Sequence, residues 1–350
     1  MKKTKSLLQG LSLAATLFAG AVCAGNHPII LIHGFQPSQL PAKPNADAVT
    51  RNGDSYWQGF WRDKASARID WPSHERLKGK ISTDYVWPKI QQISRSNLCA
   101  PGCVLVTHST GDLVARHLLE NQATWLRNAG LNPLNIVATI DFAGAGGGAE
   151  LADLAINVAD GNAGELVRQA VGLWLGEAPR RGNLGVLNDL QVNTARQTAT
   201  LHNQRIPRLR IVGGASDLLG ATSPFIPGDD DGVVALHSSC GANRVASFNS
   251  CSTSVALDGK LTSVSSGVSG LWPQHFPLLM AHKYSHGTVI ENSQKGRFTT
   301  LNGSATYSDN SRWNLAYSDI YYGFPYFARW RYVNNSDRQS LSQLVWATAP

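Results

Sequence analysis

Residues 104–120 read VLVTHSTGDLVARHLLE. Apolar and β-branched residues open the stretch, a polar cluster centred on Ser109 follows, and apolar residues return behind it at helical spacing. The pattern predicts a buried strand, a sharp turn and a helix. A serine on such a turn has its hydroxyl pushed above the sheet, where a histidine can take its proton, so the stretch points to a nucleophile. The usual form of the turn is G-x-S-x-G. Here the five residues are Thr107, His108, Ser109, Thr110 and Gly111, with threonine in the first glycine position.

Around this unit, further segments look like buried parallel strands, apolar and bounded by turn residues, with helical stretches between them. They are residues 28–32, 104–107, 135–142 and 209–212, with 244–248 a weaker case. Strand, helix, strand alternation predicts an α/β protein with a mostly parallel, doubly wound sheet. Ligands and reacting groups in such sheets sit at the carboxyl ends of the strands.

Two regions exceed a minimal sheet. Residues 149–205 contain ELVRQAVGLWLG, an apolar helical stretch long enough to form a cap over the site. Residues 298–350 are far richer in Tyr, Trp and Phe than the chain average of 8%. The plain reading is an extension packed on the same domain; the sharper one is a contact surface for an apolar or polymeric substrate.

The 350 residues, 43% hydrophobic and 16% charged, suit a globular protein with a large core. The first residues carry Lys2, Lys3 and Lys5, an apolar run and then Val22-Cys23-Ala24, which predicts a secretory signal over 1–24 cleaved after Ala24. A lipoprotein signal modified at Cys23 is the weaker alternative. A secreted or periplasmic location follows, with residues 25–297 as the main domain. Removing the leader takes three lysines and no acids from the formal +7, leaving +4. With no basic run and no nucleic-acid module, a nucleic-acid partner is excluded. Four cysteines remain, and an oxidising compartment predicts two local disulfides, Cys99 with Cys103 and Cys240 with Cys251.

The chemistry needs three more pieces. HPIILIHGFQPS runs a strand into His33-Gly34, where the Phe35 N–H stands as one oxyanion donor and the Thr110 N–H as the other; His33 itself structures the loop. Asp217, Asp229, Asp230 and Asp231 follow one strand, and one of them has to orient the imidazole. Among the later histidines, His286 heads SHGTVIENSQKG, followed by a small residue, an apolar pair and a helix; His282 is the alternative.

With these residues in place, the chain resembles the secreted bacterial lipases and esterases of the α/β hydrolase superfamily. The resemblance rests on IILIHGF, VLVTHSTGDLVARHLLE, IVATIDFAGAGGGAELADL, and DDDGVV with SHGTVI. It implies an α/β-hydrolase fold with a helical cap insertion, and it selects Asp231, whose Asp-Gly-Val-Val setting matches the acid segment of these lipases. It implies hydrolysis of an ester or lipid substrate through an acyl-enzyme, with Ser109 as nucleophile, His286 as base and no organic cofactor. Such lipases sometimes use calcium near the acid, so a structural calcium at residues 229–231 is an open alternative to a plain solvated loop. The chain departs from the pattern at Thr107, at Asp112 where a second glycine is usual, and at residues 143–148 where a Pro-His turn is usual.

A triacylglycerol lipase is the leading expectation, because the apolar face of the 149–205 insertion suits acyl chains, or a lid in transient contact with a lipid interface. An extracellular polyester depolymerase and an acyltransferase share its chemistry, and an inactive hydrolase-fold binding protein is the contrasting class.

Overall fold

The computed structural model describes residues 27–198, 206–251, 260–262, 268–323 and 328–350. The leader expected at 1–24 lies outside them. The strands are β1 (Ile29–Ile32), β2 (Ala67–Ile69), β3 (Cys103–His108), β4 (Ile136–Phe142), β5 (Arg208–Gly213), β6 (Lys260–Thr262), β7 (His275–Ala281), β8 (Ser304–Thr306), β9 (Arg312–Asn314), β10 (Tyr317–Tyr322) and β11 (Ala328–Val333). Six of them make one sheet in the order β2-β1-β3-β4-β5-β7, with every pairing parallel. This is an α/β-hydrolase fold. The two central strands, β3 and β4, are buried along their whole length, as the apolar runs in their sequences require.

The structure departs from the sequence expectation at the edges. Residues 244–248 do not form a strand. They lie in the loop closed by the Cys240–Cys251 disulfide, Ala246 adopts φ +58°, and Val245 is 47% exposed. The last parallel strand is instead β7, HFPLLMA, whose Pro277 argues against a strand in sequence. Pro277 pairs with Arg210 next to a register shift on an edge strand, where a missing N–H costs little. Strand β2 is only three residues long and gives no periodic signal. Both expected disulfides are present, Cys99 with Cys103 and Cys240 with Cys251.

Between β4 and β5 lie the helices Glu150–Ala159, Glu165–Leu175, Leu187–Leu190 and Val192–Arg196. On Glu165–Leu175, Ala170, Val171, Trp174 and Leu175 face inward, while Leu166 and Leu173 are 71% and 54% exposed. In the C-terminal region Phe298, Tyr307 and Trp313 are buried in the same apolar cluster as Leu341, Leu344 and Val345 of the helix Leu341–Thr348. The tyrosines of β10 point outward, with Tyr317, Tyr321 and Tyr322 all exposed. The aromatic residues at 324, 326 and 327 lie outside the described residues. Among the described residues no helix is long and apolar enough to cross a membrane.

Candidate active site

Ser109 follows directly on β3 and precedes the helix Gly111–Asn128. Its φ is +55°, a left-handed value that a non-glycine residue adopts only where the surroundings hold it. Its N–H donates to the Phe142 carbonyl over 3.0 Å, and its own carbonyl accepts from Ala145 N at 2.9 Å. Gly111 is required by closeness rather than by φ: a Cβ there would collide with the main-chain oxygens of Ile32 and His33. Gly34 is constrained in the same way, because a Cβ would fall 2.7 Å from Ser109 Cβ.

Asp231 and His286 come from the loops after β5 and β7. His286 Nε2 lies 2.8 Å from Ser109 Oγ, and His286 Nδ1 lies 2.9 Å from Asp231 Oδ2. The other carboxylate oxygen of Asp231 accepts from Val233 N at 3.0 Å and Val234 N at 2.7 Å. All three side chains are nearly closed to solvent, and Asp231 is fully buried. A carboxylate so held keeps the Nδ1 proton of the imidazole facing it, leaving Nε2 to accept from the serine. The arrangement can therefore generate an alkoxide-like nucleophile and return its proton to a leaving group.

Phe35 and Thr110 line the same cavity as Ser109 and His286. Among the described residues neither backbone N–H has an acceptor, and the Thr110 hydroxyl is likewise unpartnered. The cavity measures about 180 Å³ and is walled by Trp174, Leu218 and Val233, with Phe35 and Trp174 in tilted contact at 5.6 Å between ring centres.

The remaining sequence candidates fall elsewhere. Asp217 sits at the cavity rim, where its Oδ2 accepts from Gly287 N at 3.2 Å, and it does not meet the His286 ring. His282 lines a neighbouring cavity with Asp229 and Asp230. The Asp230 and Asp231 carboxylates diverge: Asp230 accepts from Ser223 Oγ and Gly232 N, while Asp231 faces His286. Among the described residues no three His, Cys, Asp or Glu side chains converge as metal ligands. His33 is stacked on Trp71 at 5.0 Å and accepts from Trp71 N through Nε2, so it ties the loop that carries Phe35 to the segment after β2. The segment after His286 forms only a short 3-10 turn, Thr288–Ile290, in place of the expected helix.

One group of residues gave no functional signal in sequence. Asp112, Arg116, Asp141, Arg208 and Arg210 form a fully buried charge cluster under the serine turn. Asp112 Oδ1 meets Arg208 Nη2 at 2.6 Å and Arg116 Nε at 3.1 Å, while its Oδ2 meets Arg210 Nη2 at 2.8 Å and Gly146 N at 2.8 Å. Burial alone would raise the Asp112 carboxyl, but Arg116, Arg210 and Arg208 outweigh it and hold it well below the usual range. Asp141 accepts from Thr107 Oγ1, Thr139 Oγ1 and Arg210 Nη1. Thr107, Asp141 and Arg210 are register partners across β3, β4 and β5, which puts all three on one face of the sheet. Gly144 and Gly146 lie against the same cluster: a Cβ at Gly144 would meet the Arg210 guanidinium, and one at Gly146 would meet Arg116.

No protein-family model matches the sequence, and no curated protein does so either. Solved structures similar to the chain include a lipase of Bacillus licheniformis in its mature form, 15% identical over 75% of this chain and 86% of that one, with a TM-score of 0.43. EstA from Clostridium botulinum is 14% identical, covering 82% and 88% of the two chains with a TM-score of 0.40. The Staphylococcus hyicus lipase is 12% identical, covering 75% and 88% with a TM-score of 0.40.

Proposed function

We propose that the protein is a secreted carboxylic ester hydrolase that works through an acyl-enzyme on Ser109. The single observation that carries this reading is the hydrogen-bonded line Asp231–His286–Ser109, with Ser109 held at a left-handed φ at the carboxyl end of a central strand. His286 takes the serine proton as Ser109 attacks the ester carbonyl, then gives it to the departing alcohol. Water, activated by the same imidazole, releases the acid. The developing oxyanion accepts from the N–H groups of Phe35 and Thr110, at about 3 kcal/mol of transition-state stabilisation per donor.

Within this chemistry a triacylglycerol lipase is the favoured subclass. The helix Glu165–Leu175 has Trp174 on the cavity wall and Leu166 and Leu173 exposed on the other side, and Leu219 stands fully exposed beside the cavity residue Leu218. Exposed apolar side chains on the segments that wall a small cavity suit contact with a lipid aggregate.

The test compares wild type with Ser109→Ala on p-nitrophenyl esters of graded chain length, and on tributyrin and long-chain triacylglycerol emulsions. Turnover by wild type and none by Ser109→Ala is expected, with emulsions hydrolysed. Equal rates for the two proteins would overturn the nucleophile. Activity on soluble esters with none on emulsions would overturn the lipase subclass.

A further inference from the structure

His108 and Tyr56 take no part in the chemistry described so far, yet between them they meet the serine turn, His286 and the loop that carries Phe35. His108 immediately precedes Ser109 and is buried, and its Nε2 lies 2.8 Å from the main-chain carbonyl oxygen of His286. The two imidazole centres are 4.8 Å apart. A carbonyl oxygen only accepts, so His108 Nε2 carries the proton. Burial, and then the facing His286, hold His108 well below the usual histidine range, so its ring is neutral and Nδ1 is a lone pair. Tyr56 Oη is hydrogen-bonded to that Nδ1 and must be the donor. The direction of the chain is thereby fixed, from Tyr56 O–H to His108 and from His108 N–H to the His286 carbonyl.

The other side of the same main-chain residue is also held. His286 N donates to the Asp231 carbonyl oxygen over 2.8 Å. The backbone of His286 is thus pinned between the acid's loop and the residue next to the serine. Tyr56 adds a third contact, because its hydroxyl lies against Gly34, next to Phe35, where a Cβ would strike it.

We propose that Tyr56 and His108 are positioning residues for ester cleavage: a directed hydrogen-bond relay that holds the main chain of His286 where its ring reaches both Ser109 and Asp231. The proposal rests on the reading of Ser109, His286 and Asp231 given above. A shift of about 1 Å in a reacting group costs on the order of 100-fold in rate, so the relay acts on kcat rather than on substrate binding.

The experiment measures kcat and KM on p-nitrophenyl butyrate, with the thermal midpoint of each protein, for wild type, His108→Leu, His108→Gln, Tyr56→Phe and the double variant Tyr56→Phe/His108→Leu. The glutamine amide can donate where Nε2–H does and accept from Tyr56, whereas leucine does neither. His108→Leu is expected to lower kcat roughly 10- to 100-fold with KM within about twofold, and His108→Gln to recover most of the loss. Tyr56→Phe is expected to lower kcat about three- to tenfold in wild type and to have no further effect in the leucine background. Unchanged kcat in His108→Leu, equal losses for leucine and glutamine, or independent effects of the two positions would overturn the relay. If His108→Leu does not fold, Tyr56→Phe measured alone and in the His108→Gln background decides, since the relay requires a loss in both. Failure of the underlying reading looks different: Ser109→Ala would then keep wild-type turnover whatever the relay variants do.

Discussion

The hydroxyl of Thr107 donates to Asp141 Oδ1 over 2.7 Å, directly beneath the turn that carries Ser109. The threonine that breaks the common glycine pattern is therefore a buried hydrogen-bond donor on the neighbouring strand's carboxylate. Thr107→Val keeps the shape and removes the donor, leaving one oxygen of a fully buried aspartate short of a partner. Such a loss costs about 1–3 kcal/mol. Urea unfolding of Thr107→Val beside Thr107→Ser should show it, with the serine variant losing much less of the bond.

Asp112 carries a larger share. Among the described residues it is the only carboxylate that meets Arg116, Arg208 and Arg210 together. Asp112→Asn leaves those guanidinium groups with an uncompensated positive charge in the core, and breaking a buried pair in this way costs roughly 3–5 kcal/mol. Denaturant midpoints measure it directly. A loss below about 1 kcal/mol would mean that water reaches the cluster.

The two candidate acids separate cleanly by substitution. Asp231 meets the His286 ring, whereas Asp217 meets only the Gly287 N–H. Asp231→Asn should reduce kcat by about four orders of magnitude, because the amide favours the wrong tautomer of the imidazole. Asp217→Asn should change kcat by less than about tenfold. Steady-state kinetics on a soluble ester checks both, and the reverse ranking would move the acid to Asp217.

A pH effect on stability is expected at Glu150. Burial pushes its carboxyl up to about 7; Asp153 adds to this, and its own N–H and Arg196 oppose it. His237 stands 3.4 Å away, with burial and Arg196 lowering it to about 4. Both groups are shifted towards their neutral forms, so the contact is not an ion pair near neutrality. The folded chain holds the Glu150 proton more tightly than the unfolded chain does. Its contribution is complete below about 4.5 and is lost as pH rises through about 7. Glu150→Gln removes that dependence and should gain about 1–3 kcal/mol over wild type at pH 8 and nothing at pH 4. Urea unfolding at the two pH values gives the comparison, and equal differences would contradict it.

Much of the site was legible because its pieces are local. Ser109 sits at a change of periodicity from strand to helix, His286 heads the local pattern SHGTVIENSQKG, and Asp231 is one of four aspartates after a single strand, set apart by its Asp-Gly-Val-Val setting. Strands β1, β3, β4 and β5 announce themselves as apolar runs. The edge strands do not: β2 is too short to show a period, and Pro277 disguises β7. The charge cluster is illegible for a different reason. Arg208 and Arg210 alternate along β5 like residues of an exposed face, and only sheet register sets Arg210 beside Asp141 and Asp141 beside Thr107. The relay from Tyr56 to His108 spans 52 positions and has no sequence pattern of its own.

The cluster under the serine turn also governs how this sequence can change over generations. Thr107, Asp112 and the glycines at 144 and 146 look like separate departures, but each touches the same buried charges. Replacing Asp112 with glycine alone leaves Arg116 without its carboxylate and Arg208 and Arg210 with Asp141 as their remaining partner, and replacing Gly144 or Gly146 with a larger residue displaces a guanidinium. Substitutions at these positions should travel together in descendants, with Arg208 and Arg210 changing in the same step. Thr107, Asp112, Gly144, Gly146 and the paired arginines are thus one coupled set, in which a change at one position constrains what the others can become.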